Sequence, residues 1–145
     1  MRWKTGKIFR IKLVTGAHAY ALALKDPELA FFNCFNPNST LEEILSSGVL
    51  WRLWVMRQAL KEPTWELLCE IKKIPEPLQQ EVTRFKKDPI TGKYSLYIHD
   101  QETPASKEQC IGLERAAAWS SNHISDRLND HLAGAENVWD VSLRP

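Results

Sequence analysis

The sequence predicts an α+β fold: a mainly antiparallel β-sheet that can curl, with a short helix after the third strand and one long C-terminal helix packed on it. Three observations predict this class. Runs of alternating apolar and polar residues, separated by turn signals, recur through the first 100 residues. A capping-box pattern interrupts them once. Apolar residues at helical spacing follow near the C-terminus. The 145 residues are predicted to form a single domain, 1–145.

The first two strands are predicted to form a hairpin. Residues 7–13 alternate, which places Phe9, Ile11 and Leu13 on one face. Residues 18–25 alternate again, and the Thr15-Gly16 pair between the two runs is typical of a turn. The second run carries only alanine on one of its faces. We expect another part of the backbone to come close there.

The next elements are a strand, a short helix and two more strands. Residues 28–35 are predicted as a strand, after which Thr40 and Glu43 have the spacing of a capping box and begin a helix. Residues 49–60 are predicted as one strand, and because both of its faces carry tryptophan we expect it to be central and covered on both sides. Residues 64–71 form the next predicted strand.

The second half of the chain is predicted to hold one strand and one long helix. Residues 72–93 read as an irregular connection with a short helical turn, and 93–99 as a strand. A polar loop then leads into a helix from Gly112 to Leu132, which Gly134 ends. Ser106 and Gln109 have capping-box spacing and could start that helix earlier. The tail is expected to add a short strand or to pack Trp139 across the sheet.

Composition and charge exclude several classes of protein. Nineteen Lys and Arg face eighteen Asp and Glu, for a net charge of +1, so no global positive charge is available to attract a nucleic acid. The first 75 residues nevertheless carry +4 and the remainder −3. We find neither a signal-peptide core nor a membrane span, and therefore expect a cytoplasmic protein with no membrane partner.

No constellation of residues predicts catalysis, a metal or a cofactor. His123 and His131 lie eight residues apart in the predicted helix, too far to bind one ion together. Cys34, Cys69 and Cys110 are odd in number and lack a Cys-x-x-Cys pair, which argues against disulfides and structural zinc. No phosphate-binding glycine loop is present. An enzyme that uses Cys110, which stands in a polar loop where it could be exposed, with a histidine remains a third option.

A single-stranded nucleic-acid-binding domain is the alternative function. The basic strand face formed by Lys7, Arg10 and Lys12 could join Arg52 and Arg57 across the sheet. Trp54 or Trp3 would then offer a ring for base stacking. The aromatic residues are not interleaved with the basic ones in any known RNA-binding motif, so a solvated face is the simpler interpretation.

Several segments resemble the immunity protein 26 family of bacterial polymorphic-toxin systems, of the contact-dependent inhibition type. They are KTGKIFRIKLVTGAHAYALAL, AFFNCF, LWRLWVMRQAL, the segment around Trp65, and LERAAAWSSNHISDRLNDHLAGAENVW. The last is the most specific, and the resemblance spans nearly the whole chain. Lys7 departs from the pattern, in which an acidic residue follows the first glycine. The resemblance implies a cytoplasmic, mainly β, non-enzymatic domain that neutralises a cognate toxin, often a nuclease, encoded beside it.

The expected mechanism is occlusion of the toxin's active site or substrate groove. Carboxylates would face the basic groups of a nuclease, and aromatic residues would anchor the complex. Trp51 and Trp65 share strand faces with aliphatic residues and are predicted to be core. The predicted toxin-binding residues are Trp54, Glu114, Trp119, Asp126 and Asp130. The oligomeric state stays open.

Overall fold

The computed structural model describes residues 2–145, and within them the chain forms two β-sheets and four α-helices. The strands are β1 (Lys7–Lys12), β2 (His18–Ala23), β3 (Glu28–Phe32), β4 (Val49–Val55), β5 (Trp65–Glu70), β6 (Arg84–Lys87), β7 (Tyr94–Ile98), β8 (Gln101–Ala105) and β9 (Ala118–Trp119). The helices are α1 (Leu41–Ser46), α2 (Lys107–Cys110), α3 (Ser121–Ala133) and α4 (Val138–Ser142), and two 3-10 turns cover Arg57–Lys61 and Glu76–Leu78.

The larger sheet has six strands in the order β5-β1-β2-β3-β4-β9. Its neighbours are antiparallel except for β4 and β9, which pair in parallel. Strands β6, β7 and β8 form a second, antiparallel sheet. Both sheets are open. The α+β class and the mainly antiparallel pairing are therefore confirmed.

Alternation along the strands produces a core on each face of the larger sheet. One core contains Phe9, Ile11, Trp65 and the alanine face of β2, and α3 covers it with Ile124 and Leu128. The alanine face lies in the same core as the apolar side of α3. The opposite core gathers Ile8, Tyr20, Leu22, Phe32, Ile44 and Leu78 beneath α1 and the connection after β5.

Local signals in the first half of the chain correspond to the structure. Thr40 accepts a hydrogen bond from the Glu43 amide and the Glu43 side chain accepts one from the Thr40 amide, which completes the capping box of α1. Gly6 adopts φ +102°, and a Cβ there would lie 2.3 Å from the Ile71 carbonyl oxygen. Only glycine fits where β1 begins beside the end of β5.

The long C-terminal helix is shorter than predicted. Ser106 and Gln109 do form a capping box, but it caps only the four residues of α2. Residues 113–117 instead run beside β6, where the Phe85 amide donates to the Glu114 carbonyl. Helix α3 begins after Ser120, whose hydroxyl accepts from the His123 amide, and it ends at Gly134 with φ +68°. Sheet hydrogen bonds have overridden the helical propensity of the alanine-rich segment.

Other boundaries also differ from the prediction. The strand predicted over 49–60 ends at Val55 and continues as a 3-10 turn. Strand β6 lies inside the predicted irregular connection, and β8 lies inside the predicted polar loop. The tail forms helix α4 rather than a strand, while Trp139 packs against the core beneath α3. Strand β4 is covered on both faces but lies next to the short edge strand β9.

Candidate partner-binding surfaces

The two tryptophans that were candidates for a surface lie in different environments. Trp119 in β9 is only 4% exposed, so it offers almost no area to a partner. Trp54 in β4 is half-buried where the two sheets meet. Its ring lies edge-on to Tyr97, with centroids 5.7 Å apart, and the Arg84 guanidinium lies 5.1 Å from its centroid. Trp54 therefore belongs to the contact between the sheets.

Glu114 precedes α3 instead of lying in it, and it pairs with Arg127 of that helix. Both oxygens of Glu114 accept from the Arg127 guanidinium, at 3.1 and 3.0 Å, and Asp140 of α4 lies 3.4 Å away. The guanidinium carbon is also 4.2 Å from the Trp51 ring centroid and 4.9 Å from that of Trp119. Arg127 is therefore a buried charge with satisfied hydrogen bonds that joins α3, α4, β4 and β9.

Asp126 and Asp130 of α3 accept hydrogen bonds from residues at the start of α4. The indole Nε1 of Trp139 donates to Asp126 at 2.9 Å, and the side-chain Nδ2 of Asn137 donates to Asp130 at 2.8 Å. The Trp139 ring also stacks on His123, with centroids 3.8 Å apart. Asp126 remains exposed and Asp130 half-buried. Both carboxylates still reach the surface while they position the helix.

The α3–α4 acidic surface, which we define as Asp126, Asp130, Glu136 and Asp140, concentrates negative charge. Residues 118–145 hold these four carboxylates and two arginines, of which Arg127 is buried. The exposed one, Arg144, lies 3.0 Å from Asp140 and 4.0 Å from Glu136. Val138 and Val141, one turn apart on α4, are exposed beside the acidic residues. Exposed apolar side chains therefore lie among carboxylates on this part of the surface.

A cavity of about 180 Å³ separates the end of the larger sheet from the smaller one. Trp54, Tyr97, Glu28 and Arg84 line it, and Asp26, Glu81 and Asp100 are among its other residues. We call it the inter-sheet cavity. Arg84 was missed in the sequence because it stands in a segment without periodicity, which predicted a loop. No sequence signal marks a single arginine as buried.

The electrostatics of the inter-sheet cavity centre on Glu28. Its Oε2 accepts from Arg52 Nε at 2.5 Å, and its Oε1 lies 3.6 Å from Arg84. Burial lowers the pKa of Arg84, against the opposing effects of Glu28 and Glu114. Two guanidiniums therefore share one carboxylate in a poorly solvated place.

The cysteine and histidine positions do not form a reactive arrangement. Cys110 is fully buried and its thiol donates to the Ser106 carbonyl, so the expected exposed position is wrong. Burial raises the pKa of the Cys110 thiol, which keeps it protonated at neutral pH. His131 stacks on Phe35, away from His123. Among residues 2–145, no three His, Cys, Asp or Glu side chains come together as a metal-binding group.

The basic residues considered for nucleic-acid binding are dispersed. Arg10 in β1 and Arg52 in β4 lie three strand spacings apart, or about 14 Å. Arg10 pairs with Glu66, Arg52 with Glu28, and Arg57 with Asp26. The predicted continuous basic face is therefore not what these residues form. In the part of the chain that the structure describes, no helix is long and apolar enough to cross a membrane.

Comparison with known proteins identifies a family for this fold. The family model for Immunity protein 26 matches residues 4–96 of the 145. It therefore covers the first six strands and most of β7, whereas the C-terminal segment that seemed most specific in the sequence lies beyond the match. No curated protein matches the chain. No solved structure matches it either. Because the matched part exceeds half of its length, the chain belongs to the Immunity protein 26 family.

Proposed function

We propose that this chain acts, as a single domain over residues 1–145, by binding and neutralising a cognate bacterial toxin domain. The observation that carries the proposal is its membership of the Immunity protein 26 family, whose name denotes protection against a toxin. The protein acts by association rather than catalysis, in the cytoplasm of the cell that it protects. The toxin is encoded by a neighbouring gene.

The α3–α4 acidic surface is the proposed docking surface. Its four carboxylates attract basic groups and steer the encounter, while Val138 and Val141 supply apolar area for a stable contact. A nuclease domain presents basic side chains where its phosphate substrate binds. The acidic surface would cover that groove and exclude the substrate. A nuclease is therefore the toxin class that the charge supports best.

The extent of the family match is a second argument for the α3–α4 acidic surface as the docking surface. The α3–α4 acidic surface lies wholly outside the matched residues 4–96. A surface that recognises one particular toxin has to differ from those that recognise others, because specificity is a difference of affinities between partners. A region outside the matched residues is a suitable place for recognition of one particular toxin.

The test is binding to the toxin domain encoded beside the gene. Replacing both Asp126 and Asp130 by Asn keeps an oxygen to accept the hydrogen bonds from α4 but removes two charges. We expect association with the toxin to slow by about tenfold at low salt, with a weaker salt dependence. The measurement is the association rate by surface plasmon resonance.

A matched control removes two exposed carboxylates elsewhere. Glu42 in α1 and Glu62 after β4 are exposed, and their change to Gln alters the net charge equally. This control should associate at the wild-type rate. Equal rates for the control and the Asp126→Asn, Asp130→Asn variant would remove α3–α4 from the interface. Failure of the wild type to bind or to protect against the neighbouring toxin would overturn the immunity function itself.

A further inference from the structure

Arg84 is a buried guanidinium whose one ion-pair partner, Glu28, is shared with Arg52. Its side chain is 2% exposed, and among residues 2–145 neither Nη1 nor Nη2 has a partner within hydrogen-bond distance. A buried guanidinium with few hydrogen bonds is costly, because its desolvation is not fully offset. A bound ligand is one of the ways in which such a group is completed.

The neighbouring carboxylates do not satisfy the hydrogen-bonding capacity of the Arg84 guanidinium. Glu28 lies 3.6 Å from it but gives its other oxygen to Arg52 at 2.5 Å. Glu114 also favours the charged form of Arg84 and so raises its pKa. Both of its oxygens, however, accept hydrogen bonds from Arg127. The positive charge on Arg84 is therefore only partly compensated within the chain.

The carboxylates around the inter-sheet cavity are engaged as well. Asp26 pairs with Arg57 at 2.6 Å, and Glu81 lies 3.7 Å from Lys25 and accepts from the His99 amide. Asp100 accepts from the Tyr97 hydroxyl at 3.0 Å. None of them is bonded to Arg84. Arg84 can therefore donate to a further acceptor, and a carboxylate is the acceptor that a guanidinium binds most strongly.

We propose that the inter-sheet cavity receives one carboxylate side chain, an Asp or Glu of the bound toxin, which pairs with Arg84 beside Trp54 and Tyr97. This inference rests on the proposed function, since it names a second contact point of the same complex. A cavity of about 180 Å³ has room for a single carboxylate side chain.

The loop beside the cavity is held in an unusual conformation. His99 and Asp100 join β7 to β8 and both have positive φ, 52° and 59°, which side-chain-bearing residues seldom adopt. Hydrogen bonds from the His99 amide to Glu81 and from Tyr97 to Asp100 maintain it. The loop keeps Tyr97 and Asp100 in place, so the cavity is formed before a partner arrives.

The experiment has two arms, and each uses wild type, Arg84→Met and Arg10→Met. Arg10 is the matched control, because it pairs with the exposed Glu66 and lies in β1, three strands away from β4, whose Trp54 lines the cavity. In the first arm, sodium acetate replaces sodium chloride at constant ionic strength. We expect acetate to raise the unfolding midpoint of wild type and Arg10→Met by about 2 °C and that of Arg84→Met not at all.

The second arm measures toxin affinity. Arg84→Met should bind the toxin at least thirty-fold more weakly, on the order expected for losing one partner of a buried charge pair, while Arg10→Met binds like wild type. An effect of acetate with unchanged toxin binding would mean that a free carboxylate is the ligand, contrary to the proposal. Equal behaviour of all three proteins in both arms would overturn it.

Folding of the variant is checked by denaturant unfolding. Because the cavity leaves Arg84 incompletely paired, Arg84→Met should be as stable as wild type or more stable. Arg84→Gln provides a second, polar substitution. If both variants unfold, Arg84 is structural and the proposal fails. If wild type does not bind the toxin, the proposed function fails, and the acetate arm decides by itself whether the cavity binds a carboxylate.

Discussion

Two buried arginines lie against different tryptophans of β4, Arg127 against Trp51 and Arg84 against Trp54. They differ in how they are paired. Arg127 holds Glu114 through two hydrogen bonds, lies 3.4 Å from Asp140, and has its guanidinium carbon within 5 Å of two tryptophan centroids. Arg84 faces a single tryptophan, Trp54, and has no hydrogen bond from Nη1 or Nη2. Both are almost completely buried. Each arginine thus packs against tryptophan, but only Arg127 is hydrogen-bonded to a carboxylate through both Nη1 and Nη2.

The difference teaches which arginine stabilises the fold. A buried charge contributes to folding when its partners replace the water that it loses, and it costs free energy when they do not. Arg127 fulfils that condition and joins four elements. Arg84 does not fulfil it, and it lies beside a cavity. The comparison predicts opposite responses to equivalent substitutions.

The largest effect is expected for Arg127→Met. The variant leaves Glu114 and Asp140 without their common partner and removes the guanidinium from Trp51 and Trp119. We expect the free energy of unfolding to fall by about 3 kcal/mol, the scale for breaking a buried pair. Urea denaturation followed by tryptophan fluorescence measures this. A loss below about 1 kcal/mol would show that Arg127 and Arg84 are energetically alike.

A smaller effect is expected for Glu28→Gln. The substitution removes the one carboxylate that Arg52 and Arg84 share, and we expect a loss of about 2 kcal/mol. In the Arg84→Met background the same substitution should cost less, because only one guanidinium is left without a charge partner. A double-mutant cycle on the free energies of unfolding measures the coupling. Additive costs would mean that Glu28 and Arg84 do not interact.

The sequence could predict what depends on local periodicity and capping. Alternation in residues 7–13 and 18–25 predicts β1 and β2, and Thr40 with Glu43 predicts α1, because these signals act between near neighbours. The segment 113–117 could not be predicted in this way. Its alanines favour a helix, and only the distant backbone of Phe85 makes an extended conformation preferable.

The candidate site shows the same limit. Asp126 and Asp130 could be chosen from the sequence because an acidic helix face is a local pattern. Arg84 could not be chosen, since its burial depends on Trp54 and Tyr97, which lie 30 residues before it and 13 after it. The sequence predicts Trp119 as an aromatic anchor for the toxin, yet pairing of β9 with β4 places it in the core. Pairing between distant segments decides which charged and aromatic side chains remain accessible.

The smallest effect concerns the sheet that carries Arg84. The buried Ser95 hydroxyl donates to Glu102 at 2.7 Å and Lys86 lies 3.4 Å from the same carboxylate; together they lower the pKa of Glu102 below its ordinary value of 4.5, with Ser95 the larger cause. A carboxyl group with a lowered pKa in the folded state stabilises the protein above pH 4.5, and this contribution is lost as the pH falls through the lowered pKa.

Glu102→Gln should therefore be slightly less stable than wild type at pH 7, and the difference should vanish in acid. Urea unfolding of both proteins from pH 7 to pH 3 measures it. Glu108, an exposed carboxylate on α2, provides the control, and Glu108→Gln should track wild type throughout. If the difference in the free energy of unfolding between Glu102→Gln and wild type persisted in acid, it would come from side-chain packing rather than from the charge of Glu102.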